Sequence, residues 1–154
     1  MLKYINVAQG PMGPYSQAVI VGELAFVSGQ LPQDPKTGLI CGENIEEQTD
    51  RAMKNLAAIL GQMCSDFSHV VKTTIYTTDL SQIHVINRVY TKWMGAVRPA
   101  RTVLQVAALP LGAFIEIEMI IKLGSNEELM LFQPADEEAL HVKKTMSTHE
   151  MKRS

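Results

Sequence analysis

Arg101, Glu116 and Glu118 are the residues whose types and spacing could do chemistry. Arg101 follows Pro99-Ala100 and begins a stretch that reads as a strand, with Val103 and Gln105 on its face. The planar guanidinium offers two parallel donors to a carboxylate, a fork that Lys cannot reproduce. An Arg in a cross-strand surface ion pair would look the same in sequence, and such pairs are common and worth little. In the run Phe114-Ile115-Glu116-Ile117-Glu118-Met119-Ile120, two carboxylates share one face of an edge or interface strand. Glutamate is depleted from strands, so the pair asks for a reason. A semi-buried carboxylate can act as a general base or orient water. A solvated face alternating with a buried one gives the same pattern.

The remaining reactive residue types form no constellation. His69, His84, His141 and His149 do not pair at metal-ligand spacing. Cys41 lies in a glycine-flanked loop and Cys64 near a helix end, neither with a base close in sequence, so both read as incidental thiols. No glycine run matches the phosphate loop or the dinucleotide fingerprint. The 9 methionines are spread as core filling is, and neither a metal nor a cofactor is expected.

The elements that must position these residues can be read from periodicity. Residues 3–8 alternate weakly as a first strand, and residues 9–14 carry two Gly and two Pro and form a loop. Residues 16–21 and 24–28 are short β-rich runs joined at Gly22-Glu23 as a hairpin. A long loop follows over 29–43, with Pro32, Pro35, Gly38 and Gly42. Asn44 caps a helix, with Glu47 three residues on. Ile45, Ala52, Leu56, Ile59, Leu60 and Met63 make its apolar face. Residues 70–78 are the clearest strand, rich in β-branched side chains. Asp79 caps a second helix over 80–94, with Ile83, Ile86, Val89, Tyr90 and Trp93 as its stripe. Residues 102–106 and 114–122 are the last strands. The order is β-β-β-α-β-α-β-β, an α+β sandwich of one sheet with two helices on one face. The other sheet face would be bare and apolar, and self-association is its simplest cover.

Composition agrees with such a domain. The 154 residues are 46% hydrophobic and 19% charged, which excludes a disordered chain. The net charge of −2 lacks the basic footprint of a nucleic-acid binder, so no nucleic-acid partner is expected. Two cysteines suit a reducing compartment. Neither a signal peptide nor a membrane span is evident, and a cytoplasmic location is expected. The character changes after residue 123. Residues 124–154 begin Gly-Ser-Asn, then carry an acidic and finally a basic cluster with little apolar periodicity. The expected division is a folded domain over 1–123 and an appended, partly disordered segment over 124–154.

The segment Arg98-Pro99-Ala100-Arg101-Thr102-Val103 to Leu109-Pro110-Leu111-Gly112-Ala113-Phe114-Ile115-Glu116-Ile117-Glu118 resembles the signature of the RidA/YjgF family of enamine/imine deaminases. Gly13-Pro14-Tyr15-Ser16-Gln17-Ala18 is similar to its N-terminal loop, and Val27-Ser28-Gly29-Gln30-Leu31-Pro32 with Asp34-Pro35-Lys36-Thr37-Gly38 to its second motif. Glu47-Gln48 with Asn55-Leu56, and Val71-Lys72-Thr73-Thr74 with Asp79-Leu80, continue the likeness, which spans about residues 2–123.

The resemblance implies a chorismate-mutase-like fold and a homotrimeric barrel with three clefts between subunits. It implies that Arg101 binds the substrate carboxylate and that Glu116 positions or activates water. Tyr15, Ser28 and Asn87 match further cleft residues, Tyr15 coming from the neighbouring subunit, while Gly29 and Val103 match positions that contribute main-chain groups. Many relatives carry Cys at Val103; a backbone role survives that change and a thiol role does not. Met119-Ile120-Ile121 replaces smaller residues. The implied reaction is hydrolysis of 2-aminoacrylate or 2-aminocrotonate, through the imine, to a 2-keto acid and ammonia, a detoxification of reactive metabolites. Two other readings stand beside it. A trimer that binds small ligands without turnover would more readily lose Arg101 or Glu116. A ribonuclease or translation inhibitor fits poorly with an acidic chain that lacks an aromatic-basic RNA surface.

Overall fold

The computed structural model describes residues 1–7, 10–11 and 13–124. The segment expected beyond residue 124 lies outside the described residues.

Among the described residues, six strands and two α-helices appear in the predicted order. β1 (Leu2–Ile5), β2 (Ala18–Val21) and β3 (Leu24–Gln30) form a meander. Val21 pairs with Leu24 across a two-residue turn, and Gly22 takes the positive φ of 59° that such a turn requires. β3 runs two residues past its predicted end, because a register shift between Val27 and Gln30 lets pairing resume beyond Ser28-Gly29.

α1 (Ile45–Gln62) starts as expected: the Asn44 side chain accepts from the Glu47 N–H, and the Glu47 carboxylate accepts from the Glu43 N–H at 2.8 Å. It ends in a Schellman pair, Ser65 N–H to Leu60 O and Cys64 N–H to Gly61 O. Cys64 therefore stands at a left-handed φ of 50°.

β4 (Val70–Thr77) leads to Asp79, which caps a 3-10 turn over Leu80–Gln82 rather than the helix itself. α2 (Ile83–Met94) begins only after that turn, three residues later than predicted. β5 (Ala100–Gln105) and β6 (Ile115–Lys122) complete one sheet in the order β1-β2-β3-β6-β4-β5. β6 is thus interior, between β3 and β4, and not an edge strand. Among the described strands only β4 and β5 are parallel neighbours, and α2 is the crossover that this pairing needs.

The core lies between this sheet and the helices. Ile115, Ile117, Met119 and Ile121 of β6 are buried, with Ala25 and Val27 of β3 and Thr73, Ile75 and Thr77 of β4. Ala52, Met53, Leu56, Ile59 and Leu60 of α1 and Ile86, Val89, Tyr90 and Met94 of α2 are buried with them. Gln48 is buried too, because both ends of its amide are used: Oε1 accepts from the Phe114 N–H at 2.8 Å and Nε2 donates to Gly42 O at 3.0 Å. No helix among the described residues covers the other face. There Leu24, Phe26 and Leu104 are 39%, 44% and 37% exposed, the apolar surface expected on that face. No helix among the described residues is long and apolar enough to cross a membrane.

Candidate active site

Glu116 sits where β6 passes the irregular end of β3. Its neighbours Ile115 and Ile117 point into the core, so alternation turns Glu116 and Glu118 to the face opposite α1 and α2. Gly29 lies directly against Glu116. A Cβ on Gly29 would stand 2.8 Å from the Glu116 Cδ, so a larger residue there would push the carboxylate aside. Ser28 is locked beside it, its Oγ donating to Ser16 O at 2.6 Å and its N–H to Gln17 O at 2.9 Å.

These residues open onto a cleft of about 850 Å³, lined among others by Tyr15, Ser28, Gly29, Pro110, Leu111 and Glu116. That volume suits a small ligand. Tyr15 is half exposed, and its ring packs so tightly on Gly13 that a Cβ there would fall 2.7 Å from it.

The local charge favours a protonatable carboxylate. Burial, then the Glu118 charge, holds the Glu116 carboxyl above its ordinary value of 4.5. Glu118 is itself tied down by the Tyr76 hydroxyl, which donates to its Oε1 at 3.1 Å. Burial first, and then that bond and the two carboxylates, push the Tyr76 phenol up as well. A carboxylate with a raised pKa in a cleft is suited to taking and returning a proton.

Arg101 occupies a different place. It pairs with Thr73 in the parallel register, and Thr73 is buried toward α2. Arg101 therefore faces the helix side of the sheet, with its Cζ 5.1 Å from the centre of the Tyr90 ring. It makes no hydrogen bond or ion pair among the described residues, so the cross-strand ion pair is not formed. Arg98, its neighbour in the motif, is occupied, donating to Gly95 O and Val97 O. Val103 pairs with Ile75 and faces the same way as Arg101. Asn87 stands on α2 one turn before Tyr90, its Oδ1 buried and without a partner among the described residues.

The predicted residues thus fall into two groups. Tyr15, Ser28, Gly29 and Glu116 share one cleft in a single chain. Arg101, Val103 and Asn87 belong to the β5–α2 side, across the sheet. Within one chain Tyr15 therefore lies with Glu116 and apart from Arg101. Two residues escaped the sequence reading. Leu111, 62% exposed in the cleft, holds a left-handed φ of 58° that is uncommon for a side chain of its size. The Leu109-Pro110-Leu111-Gly112 turn was its signal. Tyr90 was placed only in an apolar stripe, and its polar tip was the missed clue.

A meander, two crossover helices on one sheet face and a carboxylate cleft at the other define a YjgF-type α+β domain. The model of the Endoribonuclease L-PSP family, the RidA/YjgF family, matches residues 6–123, and the chain belongs to that family. It is 51% identical over 118 residues to the RutC family protein y4sK of Sinorhizobium fredii, covering 77% of this chain and 94% of that protein. The human 2-iminobutanoate/2-iminopropanoate deaminase is 41% identical, covering 73% of this chain and 82% of its own. The crystal structure of Escherichia coli TdcF with bound serine aligns with a TM-score of 0.73 at 34% identity, over 79% of this chain and 99% of that one. At the level of the family, imine/enamine deamination is supported.

Proposed function

We propose that this protein hydrolyses 2-aminoacrylate and 2-aminocrotonate, through 2-iminopropanoate and 2-iminobutanoate, to 2-keto acids and ammonia, as a cytoplasmic homotrimer whose sites lie between subunits. The observation that carries this reading is the Glu116 carboxylate, half-buried against Gly29 in a cleft and held protonatable by burial and Glu118. An imine carbon is already electrophilic, so the reaction needs orientation and proton transfer rather than a strong nucleophile. Glu116 takes a proton from water as the oxygen adds to C2. The imine nitrogen gains protons, the C–N bond breaks, ammonia leaves and a C2 carbonyl remains. One water is consumed per ammonia released, and nothing is oxidised.

Arg101 supplies the carboxylate grip, with a guanidinium that makes no hydrogen bond or ion pair among the described residues. Because it faces the opposite side of the sheet from Glu116, a second copy must bring it to the cleft, together with Asn87 and Val103. The unpartnered Asn87 Oδ1 is an acceptor that a substrate N–H would satisfy. The exposed Leu24, Phe26 and Leu104 supply apolar surface for such an assembly. The serine in the TdcF crystal and the activity named for the human relative fit a 2-amino or 2-imino acid ligand.

The test is 2-keto-acid release from enzymatically generated 2-aminoacrylate. Wild type is expected to accelerate release over spontaneous hydrolysis, and Arg101→Ala to abolish most of the gain. A folded, assembled wild type that gives no acceleration would overturn the deaminase reading in favour of ligand binding without turnover.

A further inference from the structure

Arg101 is a long, flexible side chain on an exposed edge strand, yet gripping a carboxylate requires it to hold one orientation. Two contacts in the structure bear on how it does so. The first is the Tyr90 ring beneath its guanidinium. The second is the bond between the Tyr90 hydroxyl and the Thr73 Oγ1, buried at 3.0 Å. Thr73 is also the register partner of Arg101 on the neighbouring strand.

We propose that Tyr90 is a positioning residue for carboxylate recognition, a buried aromatic platform that holds the Arg101 guanidinium with its N–H edge free. This rests on the reading of Arg101 as the carboxylate-binding group. Tyr90 is suited to the task because it cannot move. It is only 7% exposed, its backbone lies within α2, and its tip is fastened to Thr73, which is fully buried in β4. The ring therefore spans from helix to sheet and ends under the strand partner of Arg101. A cation above an aromatic face is attracted by the ring quadrupole, and the attraction grows as water is excluded. Closing a second subunit over Arg101 would exclude that water.

The geometry also accounts for what is left unused. A contact with an aromatic ring uses no carboxylate or carbonyl acceptor, so the five guanidinium N–H donors stay available. Arg101 donates none of them among the described residues, whereas Arg98 has spent two bonds on backbone carbonyls. An ion-pair partner for Arg101 would have fixed it as well but would compete with the substrate carboxylate. An aromatic partner fixes it without competition. Thr73 has a part in this arrangement that its burial alone does not suggest: a Val there would fill the space and leave the Tyr90 hydroxyl without its partner.

The test separates carboxylate recognition from folding. Binding of 2-ketobutyrate, the product acid, and of its neutral amide is measured by calorimetry on the assembled protein, with kcat and KM for 2-iminobutanoate beside it. Tyr90→Leu is expected to weaken acid binding by about 2- to 30-fold, the span of a cation–π contact from exposed to desolvated. KM should rise with it, kcat should stay within about threefold, and amide binding should not change. Tyr90→Phe keeps the ring and should stay closer to wild type than Tyr90→Leu in acid binding. In an Arg101→Ala background, Tyr90→Leu should add nothing further. Should Tyr90→Leu fail to fold, phenylalanines of increasing fluorination at position 90 weaken the quadrupole with little change of shape, and acid affinity should fall along the series. Acid binding in Tyr90→Leu equal to wild type, equal losses for acid and amide, or a flat fluorination series would each overturn the proposal. Arg101→Ala itself binding the acid normally would instead overturn the reading of Arg101 on which it rests.

Discussion

The two faces of one strand show how the same alternation is put to different uses. β6 sends Ile115, Ile117, Met119 and Ile121 toward the helices, where all four are at most 2% exposed. From the opposite side it presents Glu116, Glu118, Ile120 and Lys122, none of them buried. The inner face is closed by packing, and each side chain there contributes by leaving water. The outer face keeps two carboxylates close together and apolar neighbours in solvent. That arrangement is poor for the stability of a lone chain and suited to a ligand and a second copy. Packing decides the inner face; unspent polarity decides the outer one.

Exchanging a residue on each face should break this comparison most sharply. Glu116→Gln is expected to lower kcat by about 10²- to 10⁴-fold, the usual worth of a positioned acid–base group. Its stability should not fall at neutral pH. The folded chain holds the Glu116 proton at a pH where the unfolded chain has released it, because the folded value is raised. The stability linked to that proton is complete below the ordinary value of 4.5 and is lost as pH rises through the folded value. Gln cannot ionise and escapes that loss. Ile117→Ala should do the reverse, removing about 2–5 kcal/mol of stability by leaving a cavity. Denaturant unfolding beside initial rates reads both, and a Glu116→Gln protein much less stable than wild type would contradict the contrast.

The next exchange concerns the apolar part of the outer face. Phe26→Lys places a charge where assembly would bury an apolar ring, and the protein is expected to run as a smaller species in sedimentation while keeping its helical circular dichroism. Under the proposed assembly, activity should fall as well, because Arg101 of one copy would no longer reach Glu116 of another. Unchanged sedimentation would place the contact between copies elsewhere.

The smallest effect expected is on pH dependence. Activity that depends on ionised Glu116 should rise with pH through a midpoint above 4.5, and Glu118→Gln should move that midpoint down by removing a like charge. Because burial is the larger cause, the midpoint should stay above the ordinary value even then. A midpoint that moves up in Glu118→Gln would contradict this.

Much of the fold was legible because its signals are local. Asn44 and Glu47 mark the start of α1, and Gly22 marks the first turn. The alternation around Glu116 separates core from solvent without any knowledge of neighbours. The misplacements are equally instructive. Asp79 has the residue type of a helix cap, but whether an α-helix or a 3-10 turn follows depends on how the chain leaves β4. β6 carries two glutamates and so read as an edge or interface strand, of which the edge alternative fails. Its interior position comes from long-range pairing with β3 and β4, which no local pattern encodes.

The same division holds for the site. Residue types and motif order alone determined that Arg101 and Glu116 are the candidates, that Gly29 and Tyr15 accompany them, and which family the chain resembles. The candidacy of Arg101 and Glu116 follows from side-chain chemistry and strand periodicity, whereas Gly29 and Tyr15 enter only through the family motifs. Only the tertiary structure decided that Glu116 lies against Gly29, that Arg101 rests over Tyr90, and that the two charged groups face opposite sides of one sheet. Those facts depend on which strands become neighbours and which face the helices cover. They are set by burial of the whole core, to which residues far apart in the chain contribute together.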